Sequence, residues 1–134
     1  MISAFDADTE FETGERCFIV ETHNRAEDEG CSIVRARVAP GVTTERHALL
    51  GTTERYVILE GEGVVEVGND PGARVRPLDV VTIPADTAQR ITNTGTADLV
   101  FLCVCTPRFR PECYRVVDQA ASPSGNGEPG RLSR

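Results

Sequence analysis

Short β-branched runs cut by Gly, Pro, Asn and Asp make up most of this chain, and helical periodicity is hard to find anywhere in it. Runs of four to eight such residues read as strands, and the residues between them supply turn chemistry. Strands are expected at residues 17–22, 32–38, 55–59, 64–67, 80–83, 89–92 and 99–105. Glu60-Gly61-Glu62-Gly63 reads as a tight hairpin loop, residues 68–72 as a longer polar loop, and Asn93-Thr94-Gly95 as a third turn. Strands at this spacing predict an all-β protein, a sandwich or barrel.

Alternation assigns faces, because successive strand side chains point to opposite sides. Val34, Ala36 and Val38 are expected inside, with Arg35 and Arg37 outside. Glu54, Tyr56 and Ile58 share one face; Val57 and Leu59 form an apolar set on the other. Residues 99–105 are apolar on both faces, so both faces are expected to be covered. That excess of apolar outer surface predicts a homodimer.

At 134 residues the chain fits one domain that buries enough surface to need no staples. The expected layout is an arm over 1–12, loose unless Phe5 and Phe11 pin it, a barrel over 13–118 and a disordered tail over 119–134. The five cysteines are odd in number and include no CxxC pair. With no export signal read in the first residues, they point to reduced thiols and a cytoplasmic protein. Cys103 and Cys105 face the same way in one strand, an arrangement ill suited to a disulfide. The net charge of −7, with all 14 basic residues arginine, argues against nucleic acid as a partner. No run approaches the ~18 apolar residues of a membrane span. His23, ahead of the acidic stretch 24–30, is expected on the surface.

Two segments carry chemistry. In the first, Gly41, His47, Glu54 and Gly61 stand at spacings that resemble the first signature motif of the cupins, a family of small β-barrels. Leu49 occupies the place of that motif's second histidine. In the second, Pro84 and Asn93 match the second cupin motif, while Leu78 and Asp86 replace its glycines and Gln89 replaces its histidine. The resemblance covers residues 40–93 and implies a cupin-type β-sandwich rolled into a jelly-roll barrel.

The resemblance also implies a site. Metal-binding cupins hold a divalent ion with three histidines and the glutamate; the positions here are His47, Leu49, Glu54 and Gln89. An N/O/O set of His47, Glu54 and Gln89 would suit Mn, Fe, Ni or Zn, with Leu49 and Tyr56 as pocket walls and Glu54 able to shuttle a proton. The expected function is a divalent-metal-dependent enzyme of oxygenase, isomerase or cyclase type on a small organic molecule. The alternative is a non-catalytic small-ligand or sugar-binding cupin with a decayed metal site. Each residue also has a plainer role: His47 as a core histidine bonded to Glu54, Glu54 as a partner of Arg46, Arg55 or Arg90, and Gln89 as a polar wall. A buried glutamate needs some partner, because an uncompensated buried charge is costly.

Overall fold

The computed structural model describes residues 1–117 and the short strand Glu128–Pro129. The rest of the tail expected to be disordered lies outside the described residues. Two antiparallel sheets form the body. In spatial order the first holds β1 (Phe11–Glu12), β2 (Phe18–His23), β3 (Ser32–Val38), β10 (Leu99–Thr106), β5 (Thr53–Glu60) and β8 (Val80–Ile83). The second holds β12 (Glu128–Pro129), β11 (Tyr114–Val116), β4 (His47–Leu49), β9 (Gln89–Asn93), β6 (Gly63–Val67) and β7 (Ala73–Val75). No helix among the described residues is long and apolar enough to cross a membrane.

The expected faces are the observed ones. On β3, Val34, Ala36 and Val38 are buried while Arg35 and Arg37 are half-buried on the outside. On β5, Glu54, Tyr56 and Ile58 all point inward. On β10, Leu99, Phe101, Cys103 and Cys105 point inward, and all five cysteines are free thiols. The main core joins the inward apolar members of these sets, Cys105 excepted, to Ile19, Ile83 and Ile91, each of whose side chains contributes about 2 kcal/mol by leaving water. A smaller cluster of Leu49, Cys105, Phe109 and Tyr114 lies beside it.

Two residues of the matched motifs explain the turns. Gly61 turns β5 into β6 at a φ of 83°, and a Cβ there would meet the Asp98 carbonyl oxygen at 2.6 Å. Asn93 is fully buried and donates to the Val38 and Ala97 carbonyls at 2.9 and 2.8 Å while accepting from Gly95 N–H at 2.8 Å. One side chain therefore ties the two sheets together and closes the 93–95 turn.

The arm over 1–12 lies against the outer face of the first sheet. Glu10 bridges Arg35 and Arg37 at 2.9 and 2.7 Å. The Arg37 hydrogen bond is the main reason that the Glu10 carboxyl titrates below its ordinary range. Phe5 sits 4.9 Å beneath the Arg35 guanidinium. His23 is not the free surface residue expected: Ser3 Oγ and Asp28 Oδ2 hold its ring nitrogens at 2.6 and 2.9 Å. The arm reaches it because the β1–β2 hairpin folds the chain back along β2.

Candidate functional site

His47, Glu54, Gln89 and Tyr56, singled out in the sequence, meet in the barrel interior. Pairing of β4 with β9 sets His47 opposite Gln89, and inward alternation on β5 aims Glu54 and Tyr56 at the same region. All four are at most 2% exposed. Leu49, next inward on β4, packs into the smaller apolar cluster instead of the polar one.

Gln89 joins two partners. The Tyr56 hydroxyl donates to its amide oxygen, and its amide nitrogen donates to Glu54 Oε1 at 2.6 Å. An amide nitrogen only donates and an amide oxygen only accepts, so each end of the Gln89 side chain is used once. The other Glu54 oxygen lies 3.8 Å from the Cys105 thiol. Glu54 thus has the partner that its burial demands, although from an amide. The arginines considered for it are engaged elsewhere: Arg55 with Thr106, Arg90 with Glu66, Arg46 with the Gly68 carbonyl.

His47 is held by a backbone carbonyl rather than by Glu54. Its Nδ1 lies 3.0 Å from the Glu45 carbonyl oxygen, which only accepts, so Nδ1 carries the proton. In the neutral ring Nε2 is then a bare lone pair. That atom is buried and has no hydrogen-bond partner. Tyr114 stacks on the imidazole with centroids 4.7 Å apart and planes 15° apart.

Three further residues complete the cluster. The Tyr114 hydroxyl lies 3.2 Å from Glu15 Oε2 and 3.0 Å from Glu45 Oε1. Glu15, 1% exposed, also approaches His47 Nδ1 at 3.5 Å and accepts from the Cys17 thiol at 3.4 Å. For Glu15 no signal was present, because it lies in the turn before β2, where strand alternation does not run. For Tyr114 and Glu45 none was either: each lies in a segment too short to show a period.

Glu15, Cys17, Thr44, His47, Tyr56 and Cys103 are among the walls of a small cavity. It leaves about 10 Å³ for the centre of a water-sized sphere, which is room for about one water. The roomier surface clefts, of about 270, 420 and 330 Å³, have none of the site side chains in their walls.

The donors present do not fit the divalent ion that the family implies. Leu49 offers no atom, the Gln89 carbonyl is taken by Tyr56, and the Gln89 amide presents protons to Glu54. Among the described residues no three His, Cys, Asp or Glu side chains gather to hold a metal. Of the expected ligand set, His47 keeps a free donor atom.

Comparison with known proteins agrees with the architecture. Residues 34–105 match the family model described as a cupin domain. Uncharacterized protein MJ1618 of Methanocaldococcus jannaschii is 31% identical over 87 residues, spanning 65% of this chain and 69% of that protein. KdgF from Halomonas sp. superposes with a TM-score of 0.69 at 16% identity, over 80% of this chain and 96% of that one. The Streptomyces nucleoside dehydratase Pac13 superposes with a TM-score of 0.71 at 15% identity, over 87% and 92%. At such identities the two structures establish the fold alone.

Proposed function

This chain belongs to the cupin family, and on that premise we infer that it binds a small polar organic molecule beside His47 and acts on it by proton transfer. One observation carries this reading: a buried imidazole whose Nε2 lone pair is unpartnered while the Glu45 carbonyl fixes the proton on Nδ1. That is the arrangement of a general base. Nε2 takes a proton from a carbon or hydroxyl of the bound molecule, the other ring proton stays on Nδ1 in its hydrogen bond to the Glu45 carbonyl, and a carboxylate at the Glu15 position, 3.5 Å from Nδ1, offsets the new charge. Tyr56, on the cavity wall, positions the molecule, and the Gln89 bridge holds Tyr56 in place. Elimination, isomerisation and epimerisation all use such a step. Pac13, a nucleoside dehydratase with this fold, is an analogy in favour of the first. Glu54, held by Gln89 and near Cys105, serves the frame of the site rather than a metal or a proton shuttle.

The second reading is a ligand-binding cupin without catalysis. The small cavity and the replacement of two family histidines by Leu49 and Gln89 favour it. The test incubates the protein in heavy water with a panel of small hydroxy-carbonyl compounds, sugars and nucleosides. Magnetic resonance then detects solvent deuterium entering a compound or water leaving it. Turnover by the wild type that is lost in His47→Gln is the expected result. Binding that is equal in both proteins, with no exchange, replaces the enzyme with the binder.

A further inference from the structure

The space beside His47 holds about one water, whereas a site for an organic ligand needs several hundred Å³. Something must leave. Most of the wall belongs to ladder-bonded strands, but Glu15 sits at the tip of the β1–β2 hairpin, residues 13–17. That tip bridges the gap between the start of β2 and the segment before β4. Its attachments to the far side include Glu45 N–H to the Glu15 carbonyl at 3.1 Å, Arg16 Nε to the Thr43 carbonyl at 2.8 Å, and the Glu15 carboxylate to the Tyr114 hydroxyl and His47 Nδ1. Arg16 adopts a φ of 67°, a left-handed conformation that costs a non-glycine residue about 1 kcal/mol or more. The β1 strand behind it is only two residues long.

We propose that the ligand of this barrel carries a carboxylate, which enters by displacing the Glu15 side chain and takes its place against Tyr114 and His47. The inference rests on the His47 cavity being the binding site. Charge balance favours this ligand class. Glu15 is a buried carboxylate beside an imidazole and a phenol, with Glu45 on the far side of that phenol. Exchanging one carboxylate for another leaves the buried charge unchanged, so the desolvation cost of the entering group is matched by rehydration of the leaving one. A neutral group in that place would remove the anion that faces His47 and put nothing back. The ligand's remaining atoms then extend past His47 Nε2 toward Tyr56, where the proton transfer takes place.

The experiment titrates wild type and Glu15→Ala with acetate, with acetamide as the neutral isostere, at fixed ionic strength. Melting temperature and the His47 ring resonances are the readouts, and Glu15→Gln is the second variant if the alanine protein folds poorly. Acetate should bind the variant at least tenfold more tightly than the wild type, and acetamide should bind neither. In the wild type, saturating acetate should shift the Tyr114 and His47 ring resonances, because both rings exchange the Glu15 carboxylate for acetate. Equal effects of acetate and acetamide, or unmoved Tyr114 and His47 resonances at saturating acetate, overturn the proposal. If ribose perturbs the His47 ring and acetate does not, the carboxylate proposal falls while the proton-transfer site stands. If neither does, both fall.

Discussion

Replacing Gln89 by leucine removes the bridge at the centre of the barrel while nearly conserving volume, so no cavity term clouds the result. Two hydrogen bonds are lost. The one to the Glu54 carboxylate is 2.6 Å long, and bonds to charged groups contribute about 1.5–3 kcal/mol. The one from the Tyr56 hydroxyl is neutral and contributes about 0.5–1.5 kcal/mol. Their sum gives an expected loss of about 2–4.5 kcal/mol. For a domain of this size, at about 4 °C per kcal/mol, the melting temperature should fall by roughly 8–18 °C. Urea unfolding followed by circular dichroism should show a lower midpoint with an unchanged slope. The cycle with Tyr56→Phe should return a coupling of at least about 0.5 kcal/mol. A loss below about 1 kcal/mol, or additive behaviour of the two substitutions, would refute the bridge as the organiser of this interior.

Three further outcomes are expected. The double variant Leu49→His with Gln89→His restores imidazoles at the two family positions and should acquire stoichiometric Mn, Fe(II), Ni or Zn with a thermal shift of several degrees; the wild type should show neither by elemental analysis or melting. Because Arg37 and Arg35 lower the Glu10 carboxyl, its contribution is complete above the unfolded carboxylate range (~4.3) and is lost as pH falls through the lowered folded value. Glu10→Gln should therefore cost about 1 kcal/mol at pH 7 in denaturant unfolding and nothing in strong acid. The apolar outer set of Val57, Leu102 and Val104, all half-buried, with Val80 59% exposed beside Val57, should be covered by a second copy. Light scattering should report a dimer at micromolar concentration and a monomer for Leu102→Asp.

Much of the fold was legible because alternation is a strong local signal. The inward sets on β3, β5 and β10 follow from reading every second residue, and Gly61 and Asn93 stand where the chain must turn. Strands of two or three residues, β1, β4 and β7, escaped because they are too short to show a period. The convergence of His47, Glu54, Gln89 and Tyr56 was legible from motif spacing and face assignment. What they do to one another was not, since whether a buried amide meets a metal or a carboxylate depends on partners from other strands. Glu15 is the clearest case: it is 32 residues from His47 in sequence, and only the closure of a hairpin tip brings its carboxylate within 3.5 Å of the ring.

The central place of β10 governs how the molecule comes into being. It pairs with β3 on one side and β5 on the other along nearly its whole length. Both neighbours leave the ribosome long before it does, and neither has a ladder partner on that side until residue 106 has been made. A nascent chain that pauses before residue 99 therefore presents two unsatisfied apolar strand edges, the state in which β proteins aggregate or recruit a chaperone. Pairing strands more than sixty residues apart also places folding in the slow, millisecond-to-second range expected of non-local β topologies. The barrel does not grow along the chain as it is made; it waits for one late strand and then closes.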